Sequence, residues 1–220
     1  MTIHRQRHWG ATFLLLSLTA LAFGQAAAKL PADLDPNSHA RLPYLQKKDD
    51  VDGKMQKLFD TFKPADGILK GPLAFAAYNP GVANALLDLH NAAVGGTLDA
   101  HTRELAILVA CRETNYNLEW NGHEAAAKRA GVDAKVIDIV RNKGALTGLD
   151  EKDATVIRFG HQMLHDGKMD SATFAKAVQF FGKRGAMDMV AVMSTYAVSG
   201  FFAIAVDEHM APGTAELPAK

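Results

Sequence analysis

Four polar side chains between residues 104 and 123 have the types and spacing that proton-transfer chemistry requires. On an α-helix, positions i, i+3, i+4 and i+7 share one face. Glu119 and His123 stand at i and i+4, and Tyr116 joins that face if the helix begins as early as that residue. Glu104 opens the preceding apolar run. An antiparallel pair of helices would therefore bring its carboxylate close to His123.

A carboxylate beside an imidazole is a general acid–base pair. The anion raises the pKa of the histidine and fixes its tautomer, while burial raises the pKa of a carboxyl toward neutrality. When two carboxyl groups share one dry site, their pKa values move apart. One of them then serves as an acid and the other as a base. We predict catalytic roles for His123, Glu104 and Glu119. The alternative is a Glu–His pair on a solvated helix face with no catalytic role.

The surrounding sequence predicts the helices that must hold these residues. A helix that is apolar on every side is buried on every side, and the run Leu105–Cys111 has this character within a predicted helix over 99–113. A second helix is predicted over 117–130, with Asn117 as N-cap and Gly131 beyond its end. Alternating apolar patterns typical of strands are absent from the sequence. We predict an all-α fold of about eight helices, the others lying over 51–62, 80–94, 133–143, 151–166, 171–181 and 186–209.

The first 28 residues have the layout of a cleaved secretory signal peptide. Arg5 and Arg7 form a basic start, 11–24 is an apolar run, and 25–28 ends in small residues suited to cleavage. The apolar run is shorter than a membrane-spanning helix requires. We therefore expect a periplasmic or secreted protein with an N-terminal arm over 29–50, one helical domain over 51–210 and a flexible tail over 211–220.

Charge and hydropathy restrict the partners that the chain can have. Lys+Arg and Asp+Glu number 24 each, and without the leader they number 22 against 24. A nearly neutral body has no electrostatic footprint for nucleic acid or an anionic membrane. The run 189–206 is uncharged and long enough to span a membrane, but Asp188 and Asp207 flank it without a basic anchor. We expect it to be buried by its own fold and by a partner subunit.

The single cysteine, Cys111, excludes an intramolecular disulfide and a two-cysteine redox cycle within one chain. Its position in the apolar run predicts a buried, inert thiol. The metal-binding pattern HExxH is absent, and no further histidine lies at ligand spacing around Glu119 and His123. We therefore expect neither a metal nor another cofactor. His90, on the helix that begins at Pro80, is expected to be structural.

The stretch around the predicted site resembles a known family. R-E-L-A-I-L at 103–108, E-W-x-x-H at 119–123 and A-x-x-A-G at 127–131 are similar to the carboxymuconolactone decarboxylase family, which shares a superfamily with the alkylhydroperoxidase D-like proteins. The resemblance extends from about residue 80 to 209. It implies a compact helical bundle of the alkylhydroperoxidase D-like type, assembled as trimers or hexamers with sites near subunit contacts.

The resemblance also implies which chemistry is available. In the peroxidase branch, two cysteines and a histidine form the motif, and the two cysteine positions fall on Tyr116 and Glu119 here. Neither residue can form a thiolate, so dithiol peroxide reduction is excluded. The decarboxylase branch fits better, because it keeps E-W-x-x-H without cysteines and removes carbon dioxide from an unsaturated lactone acid without a cofactor. This substrate is normally cytoplasmic, and the predicted export departs from that pattern.

In that branch, the implied roles can be placed residue by residue. His123 would be the general acid, with Glu104 orienting it or acting as base and Glu119 completing the polar cluster. Tyr116 would donate a hydrogen bond to the substrate carbonyl. Arg103 and Arg112 would hold the substrate carboxylate, unless they form structural pairs.

We therefore predict an exported enzyme that performs cofactor-free acid–base chemistry on a small carbonyl or lactone acid. One alternative is a peroxiredoxin-like antioxidant protein, which would have to act through Cys111 or a partner's thiols. The other is a non-catalytic oligomeric protein that binds a small molecule in the same pocket.

Overall fold

The computed structural model describes residues 31–45 and 66–219, together with residues 48, 56, 57, 59 and 60. The predicted signal peptide and most of the predicted helix over 51–62 lie outside the described residues. Within the described part, all regular secondary structure is helical, which confirms the predicted fold class.

Seven α-helices and one π-helical turn follow one another along the described chain. They are α1 (Pro72–Ala76), α2 (Pro80–Val94), α3 (Ala100–Thr114), α4 (Asn117–Arg129), α5 (Ala134–Asn142), α6 (Glu151–His161), the π-helical turn Gln162–Asp166, and α7 (Ser171–Ala205). The predicted gap between 181 and 186 corresponds to a kink within α7 at Gly182, where φ is 69°. Glycine adopts this left-handed conformation without the clash that a Cβ would bring.

The turn between α3 and α4 differs from the prediction in one respect. α3 ends at Asn115, which adopts a left-handed conformation with φ 58°. The chain then extends through Tyr116, so Tyr116 rather than Asn117 is the N-cap of α4, and its side chain makes no capping hydrogen bond. The side chain of Asn117 instead accepts a hydrogen bond from the backbone N–H of Leu217 at 2.7 Å.

The central element of the domain is α3, which packs against α4, α6 and α7. Every side chain from Leu105 to Cys111 is at most 2% exposed, as the all-round apolar pattern predicts. Burial of one aliphatic side chain contributes roughly 1.5–3 kcal/mol, so burial of this run is a major contribution to the stability of the core. Its two glutamates, Glu104 and Glu113, lie toward its two ends.

α7 is long and apolar enough to cross a membrane by length and composition, and 44% of its most apolar window is buried inside the described fold. A core helix of a soluble protein passes the same test. Large apolar side chains on α7 nevertheless remain half exposed, namely Met187, Phe201 and Ile204.

Both terminal segments of the described chain form hydrogen bonds with the helical part of the fold. The N-terminal segment meets the end of α7 through hydrogen bonds from Arg41 N–H to the Val206 carbonyl (2.7 Å) and from His209 N–H to the His39 carbonyl (2.9 Å). The C-terminal tail contacts α4, where Leu217 is buried and the Asn121 side chain donates to the Ala215 carbonyl at 3.0 Å.

Candidate active site

The hairpin of α3 and α4 brings together the three predicted catalytic residues. The Nδ1 atom of His123 lies 2.8 Å from Oε2 of Glu104. Its other nitrogen, Nε2, lies 3.3 Å from Oε2 of Glu119, one turn earlier on the same helix. The three side chains are between 13% and 23% exposed, so the imidazole is held between two carboxylates in a largely dry setting.

This arrangement determines the charge of His123. Burial by itself lowers the pKa of an imidazole, because it penalises the charged form. The hydrogen bonds and negative charges of Glu104 and Glu119 outweigh burial and raise the pKa of His123 to about 9. At neutral pH the residue is therefore an imidazolium, with an N–H directed at each carboxylate.

Tyr196 and His90 complete the site from two other helices. The rings of His123 and Tyr196 form a T-shaped pair, with centroids 5.0 Å apart and an interplanar angle of 86°. His90 of α2 approaches the same tyrosine at 6.0 Å. Burial lowers the pKa of His90, and the positive charge of His123 lowers it further against the opposing effect of Glu119. One neutral and one charged histidine thus lie beside one buried tyrosine.

Sequence reasoning missed both His90 and Tyr196. The signal available for His90 was its position one turn after Leu86, on the apolar stripe of α2. For Tyr196, it was the polar group that interrupts the apolar run of α7, at residues 195, 196 and 199. These features mark inward-facing polar positions, but only the packing of α2 on α7 shows that they meet.

A cavity of about 300 Å³ opens beside these residues, and Glu119 is the member of the cluster that lines it. Its walls come from the segment before α1 and from α1, α2, α4 and α7. The lining residues are Lys70, Gly71, Pro72, Leu73, Leu86, Leu87, His90, Leu118, Glu119, Thr195, Tyr196 and Ser199. The volume and the mixture of apolar walls with a few polar groups suit a small organic ligand.

Tyr116 lies elsewhere, contrary to its predicted place on the face of Glu119 and His123. Because it caps α4 in an extended conformation, its ring is buried toward the end of α7, and its hydroxyl lies 3.5 Å from Oε2 of Glu208. The hydroxyl of Tyr44 donates to the other oxygen of Glu208 at 3.1 Å. Burial raises the pKa of Glu208 to about 7, against the effect of these two hydrogen bonds. Tyr116 lines a neighbouring cavity of about 270 Å³.

The two predicted carboxylate-binding arginines are also outside the cavity. Arg103 Nε lies 4.0 Å from Oε1 of Glu104, so this side chain balances the charge of the cluster. Arg112 is buried at the far end of α3, where it donates to the Arg141 carbonyl at 2.6 Å and to the Asn115 side chain at 3.0 Å. These hydrogen bonds hold the Arg112 side chain at the end of α3, and Lys70 is the lysine at the wall of the 300 Å³ cavity.

Cys111 is completely buried in α3, as predicted. Burial raises the pKa of its thiol well above the usual value, and the charge of Glu119 adds to this effect. Because the thiolate is the nucleophilic form of cysteine, Cys111 is a poor candidate for peroxide chemistry.

Comparison with protein families confirms the resemblance that the motifs indicated. Residues 80–162 match the model of the carboxymuconolactone decarboxylase family. The matched segment contains Glu104, Glu119 and His123 as well as His90, while Tyr196 lies beyond it. A search of curated proteins found no match to this chain.

Proposed function

We propose that this chain, which contains a carboxymuconolactone decarboxylase family domain over residues 80–162, performs cofactor-free acid–base chemistry on a small carbonyl or lactone acid. The observation that supports this most directly is His123, which two carboxylates keep protonated beside a cavity of about 300 Å³. A protonated imidazole with a movable N–H is a ready general acid.

The reaction proposed is decarboxylation of a carboxylated unsaturated lactone. The carbon–carbon bond to the carboxylate breaks, its electron pair passes into the conjugated carbonyl, and carbon dioxide leaves. The enolate-like carbon that remains must take up a proton. His123 supplies that proton and regains it from water.

The geometry distinguishes the two N–H groups of His123. The Nδ1 proton is held by Glu104 at 2.8 Å, whereas the Nε2 proton meets Glu119 at 3.3 Å, and Glu119 reaches the cavity. We infer that the Nε2 proton is the one transferred, and that Glu119 accepts it from His123 and passes it to the substrate in the cavity. Glu104 then acts as a positioning residue, which fixes the ring and favours the imidazolium.

The cavity walls supply the remaining requirements of this reaction. Leu73, Leu86 and Leu87 form apolar walls, which strengthen electrostatic interactions within the site. The Lys70 ammonium lies at the cavity wall and pairs with Asp66 at 2.6 Å, so the carboxylate of an incoming acid would share or replace this pairing. Neutral His90 is placed to hydrogen-bond the carbonyl oxygen on which negative charge develops.

We further propose that the protein is exported and that it forms homo-oligomers. The basic start, apolar run and small residues of 1–28 support export with cleavage of a signal peptide. The half-exposed side chains Met187, Phe201 and Ile204 on α7 support homo-oligomer formation, a trimer or hexamer, because a second copy would cover them.

The decisive experiment measures carbon dioxide release from carboxymuconolactone and related carboxylated unsaturated lactones. Turnover is expected with the wild type, and it is expected to disappear in His123→Ala and to fall strongly in Glu104→Gln. His101→Ala is a matched control, because His101 also pairs with a carboxylate, that of Asp153 at 2.8 Å, but outside the cavity. Full activity of the His123 variant would overturn the proposed mechanism.

A second assay separates this proposal from the antioxidant alternative. Thiol-dependent hydroperoxide reduction is measured with the wild type and with Cys111→Ser. We expect no peroxidase activity, and an unchanged lactone reaction in the Cys111 variant. Peroxide turnover that vanishes with the thiol would instead establish the antioxidant alternative. Ligand binding in the cavity without turnover of any lactone would establish the non-catalytic one.

A further inference from the structure

A second group of histidines and a carboxylate lies at the opposite end of α3. Glu113, whose side chain is only 6% exposed, has Oε1 at 3.0 Å from Nδ1 of His161. Its Oε2 lies 3.9 Å from Nδ1 of His165. We propose that Glu113, His161 and His165 bind one divalent transition-metal ion, in a site separate from the lactone cavity.

The local backbone explains how the two histidines come together. His161 is the last residue of α6 and His165 lies in the π-helical turn that follows. Their rings stack with centroids 4.7 Å apart and an interplanar angle of 16°, so both present an Nδ1 edge to Glu113. Single π-helical turns within α-helical segments are rare and frequently accompany functional sites.

The distances are close to those of a coordination sphere. One potential ligand atom from each of the three residues lies within 4.8 Å of the other two. Zinc is bound by nitrogen and oxygen at about 2.0–2.2 Å in a tetrahedron, which places ligand atoms roughly 3.3–3.6 Å from one another. The 3.0 Å pair of Glu113 Oε1 and His161 Nδ1 must open slightly to reach this spacing. His165 Nδ1 lies 3.9 Å from the other carboxylate oxygen, Oε2, and must move toward Oε1 to share the same ion. His165 can make this adjustment, because its side chain is 60% exposed.

The groups around the ligands fit a metal on Oε1 of Glu113. Lys143 Nζ lies 2.6 Å from Oε2 and can keep that oxygen while the ion takes the other. When Nδ1 of His161 is a ligand, its Nε2–H is free to donate, and Asp166 Oδ1 lies 3.7 Å from that nitrogen. A carboxylate behind a metal-bound histidine is the usual outer-shell partner in zinc sites.

The donor set determines the class of ion. Two imidazoles and one carboxylate suit zinc, cobalt, nickel or copper, whereas magnesium and calcium prefer oxygen ligands alone. Three protein ligands leave a coordination position for water, and the exposed position of His165 makes that position accessible from solvent. This inference does not depend on the proposed lactone chemistry.

The competing explanation is an ion-pair network in which Lys143 and His161 only neutralise a buried carboxylate. Isothermal titration of the full, untagged chain with zinc chloride distinguishes the two. We expect one equivalent of zinc to bind the wild type, and the affinity to fall at least about tenfold in His161→Ala and in His165→Ala, since even outer-shell changes cost that much. His165 is exposed, so its variant tests binding without risk to folding.

Two control variants locate the bound ion. His101→Ala removes another carboxylate-paired histidine and should leave the stoichiometry and affinity of zinc unchanged. His123→Ala removes the centre of the lactone cluster and should also leave both unchanged. The visible absorption of bound cobalt should report the same pattern independently. Absence of zinc binding by the wild type would overturn the proposal, and so would equal binding by the His161→Ala/His165→Ala double variant or loss of binding in His123→Ala.

Discussion

Glu104 and Glu113 occupy opposite ends of the same helix, and each accepts a hydrogen bond from Nδ1 of a histidine on another helix, at 2.8 Å and 3.0 Å respectively. Nine residues separate them, which corresponds to about 13 Å along an α-helix and to opposite faces of it. The two clusters therefore begin from the same pair of groups and differ in what surrounds that pair.

Around Glu104, the third group is another carboxylate, so two anions share one imidazolium. Around Glu113, the further groups are Lys143 and His165, so one anion is shared among basic side chains. An excess of negative charge stabilises a proton on His123. An excess of nitrogen donors around one carboxylate provides ligands for a metal ion. If both proposals hold, the third neighbour, and not the Glu–His pair, determines the chemistry of each cluster.

Lactone turnover should show the largest contrast between the two clusters. His123→Ala is expected to lower the rate about 10²–10⁴-fold, the usual contribution of a general acid. His161→Ala should retain the wild-type rate in the same assay of carbon dioxide release. A similar loss in both variants would mean that the two clusters act in one reaction.

The space available for an added methyl group should also differ between the contact of α3 with α6 and the surface beside His123. A Cβ on Gly160 would come within 2.4 Å of Val109 Cγ1 and 2.9 Å of Met193 Cε. We expect Gly160→Ala to lower the free energy of unfolding by about 1–3 kcal/mol, as overpacking does. Thermal and urea denaturation followed by circular dichroism measure this change.

Gly122, beside His123, is the matched control for that substitution. A Cβ there would meet nothing within 4 Å, and the residue is exposed on α4. Gly122→Ala should therefore stabilise the protein by roughly 0.5–1 kcal/mol through helix propensity. Destabilisation by this variant would contradict the open environment of Gly122.

The pH dependence of stability should identify the charged histidine. The folded pKa of His123 is about 9, above the ordinary value of 6.5, so its stabilising contribution is complete below pH 6.5 and is lost as the pH rises toward 9. We expect the stability difference between wild type and His123→Ala to shrink by about 1–2 kcal/mol over this window, with allowance for partial exposure. Titration of the His123 ring protons by NMR should give a midpoint near pH 9. A midpoint at or below 6.5 would contradict the arrangement.

The smallest expected effect concerns Lys143. This residue has a left-handed conformation with φ 50°, which asparagine adopts readily, so Lys143→Asn preserves the turn and removes the ammonium. Zinc affinity should rise by a factor of about two to five, because the ammonium on Oε2 repels a cation on Oε1 and a partly exposed charge interaction is worth no more than about 1 kcal/mol. Zinc titration measures the change, and a fall in affinity would indicate that the hydrogen bond from Lys143 to Oε2 supports the site more than its charge opposes it.

The Glu104–Glu119–His123 cluster was predictable because its geometry is local. Two of its residues are one helical turn apart, and the third lies on the preceding helix of a hairpin whose turn is short. Tyr116 was misplaced because the left-handed Asn115 shifts the start of α4, which spacing alone does not show. The conformation of Asn115 therefore places the Tyr116 hydroxyl beside Glu208 and not beside His123.

The remaining site residues depend on contacts that are distant in sequence. His90 and Tyr196 meet only because α2 packs on α7, more than a hundred positions later. The pair His161 and His165 has helical spacing in the sequence, but its meeting with Glu113 requires both the π-helical turn and the packing of α6 on α3. Arg112 had the right charge for a substrate carboxylate, and the fold uses it to hold the end of α3.

The hydrogen bonds between the N-terminal segment and the end of α7 have a consequence for the order in which the chain folds. Arg41 and Tyr44 bond to Val206 and Glu208, partners that leave the ribosome only after α1–α7 have been synthesised. The hairpin of α3 and α4 can form early from neighbouring segments, whereas this contact must close the longest loop in the described chain. We therefore expect docking of the N-terminal segment to be a late step in folding.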